Sequence, residues 1–431
     1  MSRAAAVSTV PGNEVFLAVP EELTVTGLSA DTRLERFAEL VVHIGANVQP
    51  GSEVLLRSDI AHMELARAVV ESAYAAGAAW VDIDWSDGPV RRSQVTHASM
   101  ERLSTARPWW VERTKQWAER RGVAITLFGD PDPHVLDGVD PAKAAAIPLE
   151  EAMTYRQAIM GQQLRWTIVP APNPGWAQEV FGEPDVERLW DAVITAMRLD
   201  EDDPVAAWRK RAADLAARGR ALNALNLTEV RYHSDATDLT VGLLPGARWT
   251  GGSMEDADGL SYMPNIPTEE VFTSPDRRRA DGEIALTKPV IINGRLVEGL
   301  KVRLEAGRIT GVTADAGADT VEAQLETDDG ARSLGEVSLV DRDSRIAKAG
   351  ILFHNTLFDE NAACHIAWGQ SFPFAIDGGL AKSSDELLDL GLNRSAVHTD
   401  VVIGGAGMTV TGTGPGGTVD IIRDDEWVLE G

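Results

Sequence analysis

A strand, a helix and a second strand follow one another early in this chain, and that order leaves few folds open. Glu53-Val-Leu-Leu-Arg57 is short and apolar enough for a buried strand. Met63 to Ala76 is an Ala-rich helical stretch stopped by Gly77, and Trp80-Val-Asp-Ile-Asp84 is the next strand. A strand–helix–strand unit crosses over right-handed and lays its strands parallel in one sheet. Before it, Thr32 to Ala46 places Leu34, Phe37, Leu40 and Val41 at helical spacing. After it come a helix from Trp110 to Arg121, a strand Val123–Phe128 closed by Gly129-Asp-Pro-Asp-Pro133, and a strand Arg165–Val169. Val186 to Ala221 is mostly helical, with an acidic break at Asp200 to Pro204. Residues 1–225 are therefore expected to form an α/β domain with an open parallel sheet.

Beyond Leu225 the texture changes. Val290–Ile292, Leu300–Leu304 and Arg308–Val312 are short alternating runs separated by Gly, Asn and Asp turns. Residues 226–431 are expected to form an α+β domain. Gly412-Thr-Gly-Pro-Gly-Gly417 has the spacing of a dinucleotide loop, but it contains proline and precedes a strand-like run, so it is expected to be a turn.

Charge narrows the partners. The 431 residues carry 66 acidic against 40 basic side chains, a formal charge of −26. Such a surface repels phosphate backbones and anionic membranes, so neither nucleic acid nor a membrane is the expected partner. The single cysteine, Cys364, excludes an internal disulfide. Met1 to Glu22 has no apolar run of signal-peptide length, and no stretch of 18 apolar residues occurs, so a cytoplasmic protein is expected.

Metal-ligand residue types gather in the second half. His398-Thr-Asp400 lies on a strand-like run, where residues two apart face the same side and can reach one ion. His365 closes the run Asn355 to His365, Glu336 lies in Leu334-Gly-Glu-Val-Ser338, and Glu270 lies in Asn265 to Ser274. Imidazole and carboxylate together hold Zn²⁺, Mn²⁺, Co²⁺ or Fe²⁺, although a His-x-Asp taken alone is equally a hydrogen-bonded surface pair. Cys364 beside His365 is read as a small packed residue rather than a nucleophile.

These stretches resemble the aminopeptidase T and aminopeptidase S family of metallopeptidases, in order and over almost the whole chain. Asn47 to Gly51, Gly129 to Pro133 and Trp166 to Pro170 contribute from the first part, and Thr237 to Gly242 from the middle. Asn265 to Pro275, Leu334 to Val337, Asn355 to His365 and His398 to Asp400 contribute from the second. The resemblance implies Glu270, Glu336, His365, His398 and Asp400 as ligands of one or two divalent ions, manganese, zinc or cobalt. It implies Glu336 or Glu270 as the base beside them, a small-molecule or short-peptide substrate, and a homo-oligomer built from dimers.

Two positions depart from the family pattern. Seven residues after the ligand histidine the family carries a tyrosine, where this chain has Phe372, and His354 stands where the family has an aromatic tyrosine. A phenol can donate to a developing oxyanion; Phe372 cannot. A relative in the same family, 5-nitroanthranilic acid aminohydrolase, replaces a ring amine with hydroxyl and forms no carbonyl oxyanion. The loss of the tyrosine inclines the expectation toward that aromatic aminohydrolase, with a peptide-cleaving aminopeptidase as the alternative. In the aromatic reading Trp368 and Phe372 wall the ring, and His354 and Arg279, the last of the run Arg277-Arg278-Arg279, meet its anionic groups. A ferrous ring-cleaving dioxygenase with a related His, His-x-Asp triad is the rival of another class, and the presence of both Glu270 and Glu336 argues against it.

Overall fold

The computed structural model describes residues 27–292 and 295–430, so the Met1 to Glu22 stretch lies outside the described residues. The first half is built on four parallel strands: β1 (Glu53–Asp59), β2 (Trp80–Ser86), β3 (Val123–Phe128) and β4 (Arg165–Pro170), in the order β2-β1-β3-β4. The inner strands β1 and β3 are buried because both faces are covered, while the edge strand β2 is largely exposed. Leu56, Val123 and Ile125 enter one core with Phe37, Leu65 and Val69. Leu55 and Ala124 enter a second core, on the other face, with Trp117 and Leu164. The helix Ala30–Leu40 starts on a Ser29 cap and runs into one π-helical turn, Val41–Gly45. The helix Met63–Ala75 ends before Gly77, whose φ of 95° a side chain rarely adopts.

The second half contains an eight-stranded antiparallel sheet among the described residues. From edge to edge it runs Arg308–Thr313, Lys301–Glu305, Pro275–Ala285, Asp238–Leu243, Glu229–His233, Thr409–Gly414, Gly417–Arg423 and Glu426–Trp427. The Gly412 to Gly417 stretch is the hairpin joining two of these strands. A separate four-stranded antiparallel sheet has the order His398–Val402, His365–Gly369, Leu334–Leu339, Val271–Thr273. One face of it, with Val337, Ile366, Trp368 and Val401, shares a core with Val230, Tyr232, Val241 and Val410 of the larger sheet. The core around the parallel sheet is also joined by Ile346, Ile351, Phe353 and Phe358, so packing crosses the midpoint of the chain. No helix among the described residues is long and apolar enough to cross a membrane.

Candidate metal centre

The four-stranded sheet places the charged residues by its register. His365 pairs with Val402, Ala367 with Asp400, Gly369 with His398, and Glu336 with Ala367. Residues directly opposite share a face and neighbours along a strand alternate, so Glu336, His365, His398 and Asp400 emerge on the face turned away from the shared core. Glu270 enters from the chain just before Val271–Thr273, and Ser338 holds it by donating to its Oε2 at 2.7 Å. Gly369 has a φ of 102°, and a Cβ there would collide with the Val397 carbonyl. That turn lets the Gln370 carbonyl reach His398.

Two groups result, joined by one carboxylate. His365 Nε2 lies 3.2 Å from Glu270 and 3.7 Å from Glu336, while His398 Nε2 lies 3.4 Å from both Glu336 and Asp400. Glu270, Glu336 and His365 form one candidate ligand group, and Glu336, His398 and Asp400 the other. Glu336 turns one oxygen to each imidazole. Both rings are oriented from behind: His398 Nδ1 lies 2.7 Å from the Gln370 carbonyl and His365 Nδ1 3.4 Å from the Ala363 carbonyl. A backbone acceptor at Nδ1 fixes one proton there and turns Nε2 to the carboxylates, so Nε2 is the nitrogen that would bind a metal in place of its own proton.

The field at this face calls for positive charge. Burial works to lower the His365 and His398 pKa values, yet the carboxylates outweigh it: Glu270 and Glu336 raise His365, and Asp400 and Glu336 raise His398, well above the ordinary histidine range. Burial raises the Glu270 carboxyl against the pull of His365. Burial also opposes ionisation of Asp400, but His398 prevails and lowers it. Glu360, which sequence reasoning missed, lies outside both ligand groups but within their field: desolvation and then the negative charges of Asp400, Glu270 and Glu336 raise it well above its usual value. Its signal was present as a second acidic residue in the Asp359-Glu-Asn-Ala run ahead of His365. Three carboxylates, Glu270, Glu336 and Asp400, and two imidazoles that turn Nε2 toward them fit one or two divalent cations by donor type and by charge.

The other expected site residues divide. Phe372 is half-buried with its ring 5.1 Å from that of His398. Trp368 does not reach the site. It is one of the inward-facing residues of its strand, fully buried, with its indole donating to Gln324 Oε1 at 2.9 Å. Three residues after His365 on a strand is the opposite face, so it cannot wall a substrate. Arg277, Arg278 and Arg279 lie on the strand Pro275–Ala285 of the larger sheet. Arg278 is held by Asp276 at 2.8 Å, and Arg279 lies across Gly242 with a 3.4 Å bond to the Leu243 carbonyl, so the structure does not bring it to the centre. His354 takes a left-handed backbone conformation, φ 52°, near Asp359 and outside the ligand groups. Cys364 is packed, its thiol donating to the Val340 carbonyl at 3.3 Å and pushed up to about 12 by burial, which leaves no thiolate for nucleophilic work.

A sheet face bearing two joined carboxylate–imidazole groups defines a metal-dependent enzyme class, and comparison with known proteins makes it specific. The chain belongs to the thermophilic metalloprotease (M29) family, which it matches over residues 30–427, and it is a metallohydrolase of that family. It is 36% identical over 408 residues to aminopeptidase 2 of Geobacillus stearothermophilus, covering 93% of this chain and 98% of that one. It is 38% identical over 405 residues to aminopeptidase PepS of Streptococcus thermophilus, covering 92% and 98%. Among solved structures, wild-type AmpT from Thermus thermophilus superposes with a TM-score of 0.85 at 35% identity, covering 93% of this chain and all of that one. The relatives are aminopeptidases, which favours the peptide-cleaving alternative over the aromatic aminohydrolase expected from Phe372. With Trp368 in the core and Arg279 elsewhere, two supports of the aromatic reading are gone as well.

Proposed function

We propose that this protein is an aminopeptidase that removes the first residue of short peptides, with Glu270, Glu336, His365, His398 and Asp400 holding one or two ions of manganese, zinc or cobalt. The observation that carries the proposal is the shared carboxylate: Glu336 stands between two imidazoles on one sheet face, in a chain of this family. When bound, a divalent ion supplies Lewis acidity and lowers the pKa of its water toward neutrality. His365 and His398 are aimed by their backbone acceptors and need no reorientation to act as ligands. Glu270 or Glu336 takes the proton of the attacking water and returns it to the leaving amine, and Ser338 keeps Glu270 in place for that exchange. Phe372 has no hydroxyl, so no hydrogen bond to a developing oxyanion comes from that position.

The test is turnover by manganese- or zinc-loaded protein of leucine p-nitroanilide, a short peptide and 5-nitroanthranilate, each with and without chelator. Chelator-sensitive cleavage of the first two is expected, falling by about 10²- to 10⁴-fold in Glu336→Gln with the fold intact. Ammonia release from the nitroaromatic alone would overturn the peptide reading.

A further inference from the structure

Beside the centre lies a group of rings that none of the buried cores contains. Phe272 is two residues beyond Glu270 and pairs with Ser338, the residue that holds Glu270, so it emerges on the same sheet face. Phe372 approaches it edge-on at 5.7 Å and stacks on Phe374 at 5.2 Å, and Phe374 closes back on Phe272 at 6.2 Å. The Phe372 ring is also the one 5.1 Å from His398. Ser274 pins this arrangement: its hydroxyl accepts from the Phe372 amide at 3.0 Å. All three rings are half-buried, and none joins the cores around the two large sheets or the small cluster of Leu244, Ile376, Leu387 and Leu392. Three mutually packed, partly exposed rings next to a candidate ligand histidine offer apolar contact to whatever sits at the centre.

We propose that Phe272, Phe372 and Phe374 form the pocket for the side chain of the substrate's first residue, and that it selects apolar and above all aromatic side chains. The inference rests on the aminopeptidase reading, which brings the first residue's carbonyl to the centre. The side chain of that residue starts one carbon from the carbonyl, so a phenyl group reaches a ring in contact with His398. Offset or edge-on stacking then rewards an aromatic side chain over a methyl. The second residue, beyond the scissile bond, projects its side chain from the leaving group and is not selected here.

Two measurements separate the pocket from the reading beneath it. The first is kcat/KM for Phe-, Leu-, Ala- and Lys-p-nitroanilide and for Ala-Phe against Ala-Ala. The second is calorimetric binding of L-phenylalaninol and L-alaninol, which have no scissile bond, to manganese-loaded protein. Both are made with wild type, Phe374→Ala and the milder Phe374→Leu. The expected result is a preference of roughly tenfold or more for Phe over Ala at the first position. The same order is expected in alcohol binding, and both preferences fall toward unity in the variants. Absence of turnover on every peptide substrate defeats the aminopeptidase reading, and the alcohols alone then decide the pocket. Equal binding of the two alcohols, a preference untouched in both variants, or selection at the second position instead overturns the pocket.

Discussion

Asp425 is a buried carboxyl whose Oδ1 finds no hydrogen-bond partner among the described residues. Burial first, and then the nearby charge of Asp341, pushes its pKa up to about 6, with Arg342 pulling the other way and Asp424 adding to the rise. In the unfolded chain the group titrates near its ordinary value of about 3.9. A group whose folded pKa is raised contributes stability that is fully present below the unfolded value and is lost as pH climbs through the folded one. Asp425→Asn removes the charge, and asparagine tolerates the left-handed backbone at φ 62°. The variant is therefore expected to have a higher urea midpoint than wild type at pH 7.5, with the gain fading between pH 6 and 4. A gain of the same size at both ends would show that the charge is not its cause. Trp368 makes a related point about single residues: its type suggested a substrate wall, but its face, fixed by alternation from His365, put it in the core.

The strand Val271–Thr273 is three residues long, too short to hold Glu270 in place by its ladder alone. The hold comes from its neighbour. Glu269 is fully buried, with Arg198 and Arg211 each 2.6 Å from one of its carboxylate oxygens, and its amide donates to Asn361 Oδ1 at 2.6 Å. The arginines come from the link between two helices and from the helix Pro204–Ala224, so the centre's first carboxylate is positioned by an element of the first half. Removing one partner strands the other charges. Glu269→Ala is expected to cost about 3–5 kcal/mol in chemical denaturation and to weaken divalent-ion binding in a titration. An unchanged denaturation midpoint would deny Glu269 this role. The elements themselves were largely legible: the strands Val123–Phe128 and His398–Val402 and the helix Met63–Ala75 announce themselves through local period, glycine and proline. The helices Leu149–Met160 and Pro174–Phe181 were not read, because the first has little one-sided apolar pattern and the second is two turns in a Pro-rich stretch.

In the whole molecule, the parallel sheet and its helices share a core with residues near 350, while the small antiparallel sheet presents its charged face away from the larger one. Without a cation the carboxylates on that face repel one another, and binding to the folded state alone adds stability, about 2.7 kcal/mol at a hundredfold excess over Kd. Thermal unfolding is therefore expected to shift upward with Mn²⁺, Zn²⁺ or Co²⁺ and downward with chelator. Superimposable melts in metal and chelator would remove the case for a resident ion. The sequence by itself determined the strand–helix–strand order, the change of texture after Leu225, and, through motifs similar to a known family, five of the residues on the charged face. Local rules sufficed there, because strand alternation and turn chemistry depend on neighbours a few positions away. Only the tertiary structure decided that Glu360 feels the charge of those five, that Trp368 and Arg279 do not border them, that Glu269 is the buried partner of two arginines, and that Phe272 meets Phe372 beside His398. Each of these depends on which face a strand turns inward or on contacts between segments distant in the chain. Burial and ion pairing at that range are properties of the packed whole.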